Sequence, residues 1–417
     1  MKMKLSEELT WRGFINQTTF DDVKQLDRGV ITFYFGVDPS SDSMTIGNLA
    51  TAMMIRHFIN HGHHAILLVG GATGMIGDPD GKKQERKLKT LEEIDNNKRA
   101  IAEQYKIIFA GQQFEIVDNF DWFRHINFLS FLRDVGKHVP MRTMLGREFV
   151  QARLGKDGTG ISYAEFSYSL IQGYDFLHLF REKGVTLQLC GADQWGNSIA
   201  GVDLIRRITG SQAHVLSAPL IIDKNTGAKF GKSEEGAIWL DARKTSVFKF
   251  YQFWLNIDDA SALDFLKIYT LLGRNEIEQI ITEFNKNRAS RLAQKKLAYE
   301  VTSLIHGKDA ADYQVEITNI LFGDKTTALD DARLKTLEAE FPTVLVPRRL
   351  SSDKLIDIIL KTGLATSKTE ARRFLHNGAI YINNMQLKTE LEFWYEMHSD
   401  YAIIRRGRNT LALLKSK

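Results

Sequence analysis

The sequence predicts a doubly wound, parallel α/β sheet, followed by an all-helical segment and a small α+β module. Five short apolar, β-rich runs at 31–37 (ITFYFGV), 64–70 (HAILLVG), 114–118 (FEIVD), 185–190 (VTLQLC) and 214–222 (HVLSAPLII) are bounded by turn signals. Longer segments of helical spacing separate them, among them 47–61, 91–110 and 161–181. Strands alternating with helices form parallel sheets that bind ligands at the carboxyl ends of the strands. Beyond residue 245 the pattern changes. SVFKFYQFWLNI, ASALDFLKIYTLL, NEIEQIITEFN and SRLAQKKLAYEVTSLIHG carry a 3.6-residue period and no strand runs.

In chain order this gives an α/β domain over 1–223, a polar loop at 224–245 and a helical domain over 246–322. A linker with Pro342 and Pro347 is expected over 323–349, and a last module over 350–417. In that module two short helices lead through an Asn-Gly turn into a strand, and YAIIRRGRNTLALL closes it as a hairpin. The net charge of +4 is unevenly spread: residues 350–417 hold 11 Lys and Arg against 7 Asp and Glu, while residues 1–349 balance at 44 against 44. Such a tail suits a polyanion.

The composition, 43% hydrophobic and 25% charged, is that of a soluble globular protein. The longest apolar run, HAILLVGGA at 64–72, is far short of the roughly 20 residues a membrane span needs. The N-terminus MKMKLSEELTWRGF has no apolar signal core, so the cytoplasm is the expected compartment. A single cysteine, Cys190, excludes an intramolecular disulfide and a zinc-thiolate cage. No protein-bound structural metal is expected; any metal arrives with a substrate.

The stretch YFGVDPSSDSMTIGN (34–48) ends a strand and opens a helix near Thr45, Gly47 and Asn48, where phosphates are commonly held. No glycine-rich loop accompanies it. GDPDGKK (77–83) and GAKFGKS (227–233) each place three residues between their glycines where a P-loop needs four. Lys229 and Lys232 nevertheless supply mobile charges suited to a phosphate chain that gains charge during reaction. In ISYAEFSYSLIQGYDFLHLF, Tyr168, Gln172 and Asp175 fall at i, i+4 and i+7, a polar stripe on one helix face. Buried polar groups need partners, so such a stripe suits a polar ligand. Asp193 and Gln194 follow one strand, where a carboxylate can accept a ribose diol, and Asp78 follows another, with Lys82 and Arg86 beyond it.

Taken together, WRGFINQTT at 11, YFGVDPSSDSMTIGN at 34, LVGGATGMIGDPDGKK at 68, YSLIQGYDFLHL at 168, GADQWGN at 191 and KFGKS at 229 resemble the bacterial tyrosyl-tRNA synthetases of class I. An S4-like RNA-binding module from about 350 extends the likeness over nearly the whole chain. The resemblance implies a Rossmann-like catalytic domain and a tyrosine-tRNA ligase that forms tyrosyl-adenylate from L-tyrosine and ATP, then charges tRNA(Tyr). It further implies that Tyr34 and Asp175 bind the phenolic hydroxyl, and that Asp78, Tyr168 and Gln172 hold the α-ammonium. Asp38, Asp193 and Gln194 would position the adenylate, and Thr51 would line the nucleotide site. Lys82, Arg86, Lys229 and Lys232 would clamp pyrophosphate, with Mg2+ arriving on ATP. Rejection of phenylalanine follows from the hydroxyl pair, an effect for which this family is the standard example at about 10⁵-fold.

Lys368, Arg372 and Arg373 on a helix, Arg405, Arg406 and Arg408 on the hairpin, and Arg206 and Arg207 after DQWGN would meet tRNA. A homodimer is implied through an inserted segment at about 80–160, including NFLSFLRDVGKHVPMRTML (127–145). Two departures stand out. The family's signature histidines are Thr45 and Asn48 here, and residue 35, often small in relatives, is Phe35. Thr45 and Asn48 can still donate hydrogen bonds to ATP, a role that needs no titrating group. A tryptophanyl-type enzyme shares the T-x-G-N variant, and a catalytically dead RNA-binding relative is the other alternative. Tyr34 and Asp175 suit a phenol, and the charged residues around the phosphate chain argue for catalysis.

Overall fold

The computed structural model describes residues 3–79, 88–155, 158–222, 230, 232–233, 236–322, 331–383, 385–387, 394–396, 400–407 and 410–417. They fall into two compact units, Met1–Lys308 and Asp309–Lys417. The first is built on a six-stranded sheet of β1 (Gln17–Thr18), β2 (Thr32–Val37), β3 (His64–Val69), β4 (Phe114–Asp118), β5 (Leu187–Gly191) and β6 (His214–Ala218), in the order β1-β6-β5-β2-β3-β4. All five expected strands are present and parallel to their neighbours. β1 adds a two-residue antiparallel edge on β6, too short to carry a sequence pattern.

The chain leaves β2 toward β3 and β4, then returns to β5 and β6 on the other side of β2. A crevice therefore opens between β2 and β5 at the carboxyl end of the sheet, the usual ligand position in such folds. The helices of this part of the chain begin with α1 (Leu5–Arg12), α2 (Ile46–Asn60), α3 (Gly71–Ile76) and α4 (Leu91–Ile108). The short helices α5 (Phe120–Phe123), α6 (Phe128–Asp134), α7 (Met141–Leu145) and α8 (Glu148–Leu154) precede the long α9 (Tyr163–Lys183) and α10 (Trp195–Thr209).

Helices α9 and α10 lie against each other at two glycines. A Cβ on Gly201 would fall 2.9 Å from the Phe176 Cβ, and one on Gly173 would fall 3.3 Å from the Gly201 nitrogen. This contact holds the polar stripe of α9 beside the residues that open α10. The face of the sheet beneath it is apolar, with Tyr34, Ile66, Leu68, Phe176, Leu177 and Cys190 in one buried cluster.

Next come the small hairpin of β7 (Lys232–Ser233) and β8 (Gly236–Ala237), then helices α11 (Val247–Leu255), α12 (Asp259–Tyr269), α13 (Arg274–Lys286) and α14 (Leu292–His306). Ser246 and Asp258 cap the first two of these helices. Arg12 of α1 ties this helical part to the rest of its unit by donating to the carbonyls of Lys267, Thr270 and Leu272 near the end of α12.

The second unit contains α15 (Lys308–Phe322), α16 (Asp331–Glu340), β9 (Thr343–Val346), β10 (Arg349–Ser351), α17 (Ser352–Lys361) and α18 (Lys368–His376). Strands β11 (Ile380–Ile382), β12 (Met385–Leu387), β13 (Trp394–Glu396), β14 (Tyr401–Arg406) and β15 (Thr410–Ser416) complete it. Its main sheet runs β12-β11-β14-β15-β9, with β14 and β15 as the expected closing hairpin. The stretch 323–349 departs from a plain linker, since it holds α16 and then β9, which pairs in parallel with β15. Pro342 and Pro347 bracket a β-branched run, TVLV, at a sheet edge, where proline is tolerated beside a strand.

Candidate active site

The carboxyl ends of β2, β3, β5 and β6 open into one cleft of about 390 Å³. Tyr34, Asp38, Thr45, Gly47, Asn48, Thr51, Asp78, Tyr168, Gln172, Asp175, Asp193 and Gln194 all line it, as does Phe35. Every candidate tyrosine-pocket and ribose-side residue therefore meets in one place, although they come from five separate stretches of chain.

At the deep end, Tyr34 is 1% exposed and its hydroxyl has no hydrogen-bond partner among the described residues. Burial, with the charge of Asp175, pushes its pKa well above the ordinary phenol value and keeps it a neutral donor. Asp175 is 2% exposed; its Oδ1 accepts from Trp122 Nε1 at 2.9 Å and its Oδ2 from Asn119 Nδ2 at 3.1 Å. Burial raises the Asp175 pKa well above the usual carboxylate range, against the pull of these two donors. Asn119 also donates to Thr73 at 3.0 Å and accepts from the Ala72 N–H at 2.7 Å, which ties the start of α3 to the end of β4.

Toward the mouth, the Tyr168 hydroxyl donates to Asp38 at 2.7 Å, and Gln194 donates to Asp78 at 2.5 Å. Gln172 has a buried Oε1 without a partner among the described residues. Gly70 lies against this corner: a Cβ there would fall 2.6 Å from an Asp38 oxygen. Among the described residues the cleft has buried, unsatisfied polar atoms in Tyr34 and Gln172, and three carboxylates, Asp38, Asp78 and Asp193, line it as well.

At the start of α2, Asn48 Oδ1 accepts from both the backbone N–H and the hydroxyl of Thr45, each at 2.9 Å. The segment after the β7–β8 hairpin pairs with this same stretch: Ile46 donates to the Ile238 carbonyl at 3.1 Å, and Leu240 to the Met44 carbonyl at 2.9 Å. Phe230 lines the cleft and packs its ring on Phe253, Trp254 and Phe265 of the helical part. Phe230 of the KFGKS stretch thus stands beside TIGN, its carbonyl oxygen 3.7 Å from where a Cβ on Gly47 would fall. Lys82, Arg86 and Lys229 lie outside the described residues, and of Lys232 only the backbone, in β7, is described.

Of the candidate RNA-facing residues, Arg206, Arg207, Lys368, Arg372 and Arg373 are exposed, and Arg405 and Arg406 are half-buried. Arg206 and Arg207 occupy the exposed last turn of α10, Arg206 paired with Asp203 at 2.9 Å. Within the second unit, Lys368, Arg372 and Arg373 are exposed on α18. The Arg373 and Arg406 guanidiniums lie 5.3 and 4.8 Å from the Phe374 ring centre, and Arg405 lies 4.1 Å from that of Tyr381. Arg408 is outside the described residues.

Sequence reasoning missed Thr73, Asn119 and Trp122 around Asp175, and Arg147 and Asn197 behind Gln194. Asn119 had a signal, because it follows β4 as Asp38 follows β2. The others are recruited by tertiary approach and carry no local pattern.

Comparison with known proteins agrees with this geometry. Residues 26–323 match the family described as tRNA synthetases class I (W and Y), and residues 333–414 match the tyrosine-tRNA ligase SYY-like C-terminal domain. A tyrosine-tRNA ligase of Staphylococcus haemolyticus (strain JCSC1435) is 42% identical over 426 residues, covering 100% of both chains. A C-terminally truncated mitochondrial tyrosyl-tRNA synthetase of Aspergillus nidulans is similar in structure, with a TM-score of 0.70 at 31% identity over 77% of this chain and 95% of that one. A tryptophanyl-tRNA synthetase of Encephalitozoon cuniculi shares the fold alone, with a TM-score of 0.54 at 14% identity over 74% of this chain and 89% of that one. The chain belongs to the tyrosine-tRNA ligases, the tyrosyl branch of the class I tryptophan and tyrosine synthetases, and is an aminoacyl-tRNA ligase.

Proposed function

We propose that the cleft activates L-tyrosine with ATP and that the product tyrosyl-adenylate is passed to the 3′ end of tRNA(Tyr). The observation that carries this reading is the buried hydroxyl of Tyr34, without a partner among the described residues, in a cleft that Asp175 also lines. A phenol entering there gains the Tyr34 hydroxyl as a new partner and Asp175 as a further acceptor, whereas phenylalanine leaves the Tyr34 hydroxyl unpaired and offers Asp175 nothing beyond its bonds to Trp122 and Asn119.

In this reading Asp78, Tyr168 and Gln172 bind the α-ammonium, and the partnerless Gln172 oxygen is one acceptor for it. Asp38, Asp193 and Gln194 orient the carboxylate and ribose ends so that the carboxylate oxygen attacks the α-phosphate in line with the leaving pyrophosphate. The step needs no protein base, so positioning and charge neutralisation supply the acceleration. Asn48 and Thr51 face the nucleotide, Gly47 leaves room for it, and Lys82, Arg86, Lys229 and Lys232 neutralise the departing pyrophosphate. ATP brings Mg2+ as substrate; among the described residues no group of three or more His, Cys, Asp or Glu could hold a metal.

We also assign tRNA binding to Arg206 and Arg207, to Lys368, Arg372 and Arg373 of α18, to Arg405 and Arg406 of β14, and to Arg408, which follows β14 in sequence. Phosphate contacts of this kind make binding weaken with salt. A homodimer is the proposed assembly. Phe128, Leu129, Met141 and Tyr163 are 61%, 73%, 57% and 65% exposed, beside apolar hollows of about 470 and 290 Å³. An apolar surface of that kind calls for a cover, and a second copy of the same segment supplies one. Tyrosine-dependent ATP-pyrophosphate exchange tests the activity, and sedimentation of the purified protein tests the assembly.

A further inference from the structure

Behind the amino-acid end of the cleft runs a chain of three hydrogen bonds. Arg147 Nη1 donates to Asn197 Oδ1 at 2.7 Å, Asn197 Nδ2 donates to Gln194 Oε1 at 3.1 Å, and Gln194 Nε2 donates to Asp78 Oδ2 at 2.5 Å. Arg147 also donates to the Gly196 carbonyl at 3.0 Å. The direction of this chain is not arbitrary. A guanidinium can only donate, so the Asn197 atom facing it must be the oxygen. The amide nitrogen of Asn197 then faces Gln194, which forces the Gln194 oxygen toward Asn197 and its nitrogen toward Asp78. Asn197 is 4% exposed and has no freedom to satisfy a reversed amide from water.

We propose that Arg147 is a positioning residue for the amino-acid substrate, acting through Asn197 to fix which way the Gln194 amide points. The proposal rests on the tyrosine-activating reading of the cleft. With Arg147 in place, Gln194 presents its N–H side to the cleft, a donor for a substrate carboxylate, and one Asp78 oxygen is already occupied. Without that fixed donor Asn197 can turn its own oxygen toward Gln194, and Asp78 alone is left to hold the Gln194 amide against offering its oxygen to the substrate carboxylate, which repels it. Arg147 lies just before α8 and lines a different hollow from the cleft that holds Thr45 and Asn48, meeting that cleft through Asn197 and Gln194, so its influence falls on the amino acid and not on ATP.

The test is steady-state pyrophosphate exchange by the full chain with tyrosine and ATP varied separately. Arg147→Met should raise KM for tyrosine several-fold with KM for ATP unchanged, and Arg147→Lys, which keeps a donor, should restore part of the loss. Asn197→Asp still accepts from Arg147 but cannot donate to Gln194, so it should match or exceed the Arg147→Met effect. Adding Arg147→Met to Asn197→Asp should then change KM for tyrosine no further, because the two act in series. Independent, multiplying effects would overturn the proposal, as would an unchanged KM for tyrosine in Arg147→Met. Equal changes in both KM values, accompanied by a lowered melting temperature, would reduce Arg147 to a structural role and also overturn it. A wild-type chain without tyrosine-dependent exchange would refute the underlying activity instead.

Discussion

Asn48 uses its amide oxygen to accept both donors of Thr45, the backbone N–H and the hydroxyl, each at 2.9 Å. Because a backbone N–H can only donate, the Asn48 oxygen is fixed toward Thr45 and the amide nitrogen is the group left for the cleft. The two residues that replace the family's histidines therefore divide the work. In the proposed activation Thr45 orients the Asn48 amide, and Asn48 donates to ATP.

Asn48→Asp separates these roles. Aspartate accepts from Thr45 at least as well and its charge suits a helix N-terminus, so the melting temperature should hold or rise. The variant has no N–H for ATP, so kcat/KM for ATP should fall by about tenfold, the scale of one lost hydrogen bond of roughly 1.4 kcal/mol. Exchange kinetics beside a thermal melt check both halves. Unaltered ATP kinetics would remove Asn48 from the nucleotide site.

Tyr34→Phe should move stability and specificity in opposite directions. The hydroxyl is buried without a partner among the described residues, so deleting it relieves a desolvation cost of about 1–3 kcal/mol and should raise the melting temperature of the free protein. Tyrosine use should fall by about 5–30-fold while phenylalanine use does not, which narrows the discrimination between them. A variant that is less stable and equally selective would contradict this placement of the hydroxyl.

Acid should loosen the attachment of α1. Glu8 accepts from Arg12 at 3.0 Å and stands 3.2 Å from His57 Nδ1. Burial alone would raise its pKa, but the His57 hydrogen bond and the charges of His57 and Arg12 outweigh it and bring the value from 4.5 to about 2. A depressed folded-state value means that the contribution is present above pH 4.5 and is lost as the pH falls toward 2. His57, which burial holds below 6.5, adds a decline in the same direction that begins at higher pH. Glu8→Gln should lower the melting temperature at pH 7 and flatten its dependence below pH 4.5; parallel pH profiles for the two proteins would refute the assignment.

A chain ended after Phe322 should keep most of its tyrosine-dependent exchange and lose tRNA charging by about a hundredfold, the scale set by several missing phosphate contacts. The cut has to precede α16, because β9 at Thr343–Val346 is an integral strand of the second unit's sheet. Equal charging by the shortened chain would deny the part of that unit beyond Phe322 an RNA role.

Much of this architecture was legible because it rests on short-range pattern. The five parallel strands are continuous apolar runs, and the spacing of Tyr168, Gln172 and Asp175 already places them on one helix face. The contacts that were not legible are those made by approach across the fold. Trp122 reaches Asp175 across 53 positions, and Arg147 reaches Asn197 across 50, neither with a periodic signal. β9 escaped notice for a different reason: its two flanking prolines read as a linker, whereas they bracket a strand at a sheet edge.

The central claim is that the cleft selects a phenol and activates it with ATP. Pyrophosphate exchange measured side by side with tyrosine, phenylalanine and tryptophan tests it most directly. The account predicts strong exchange with tyrosine and a value of kcat/KM lower by about 10⁴-fold or more for phenylalanine, with tryptophan inactive. Comparable exchange with tryptophan or phenylalanine, or none with tyrosine, would contradict it.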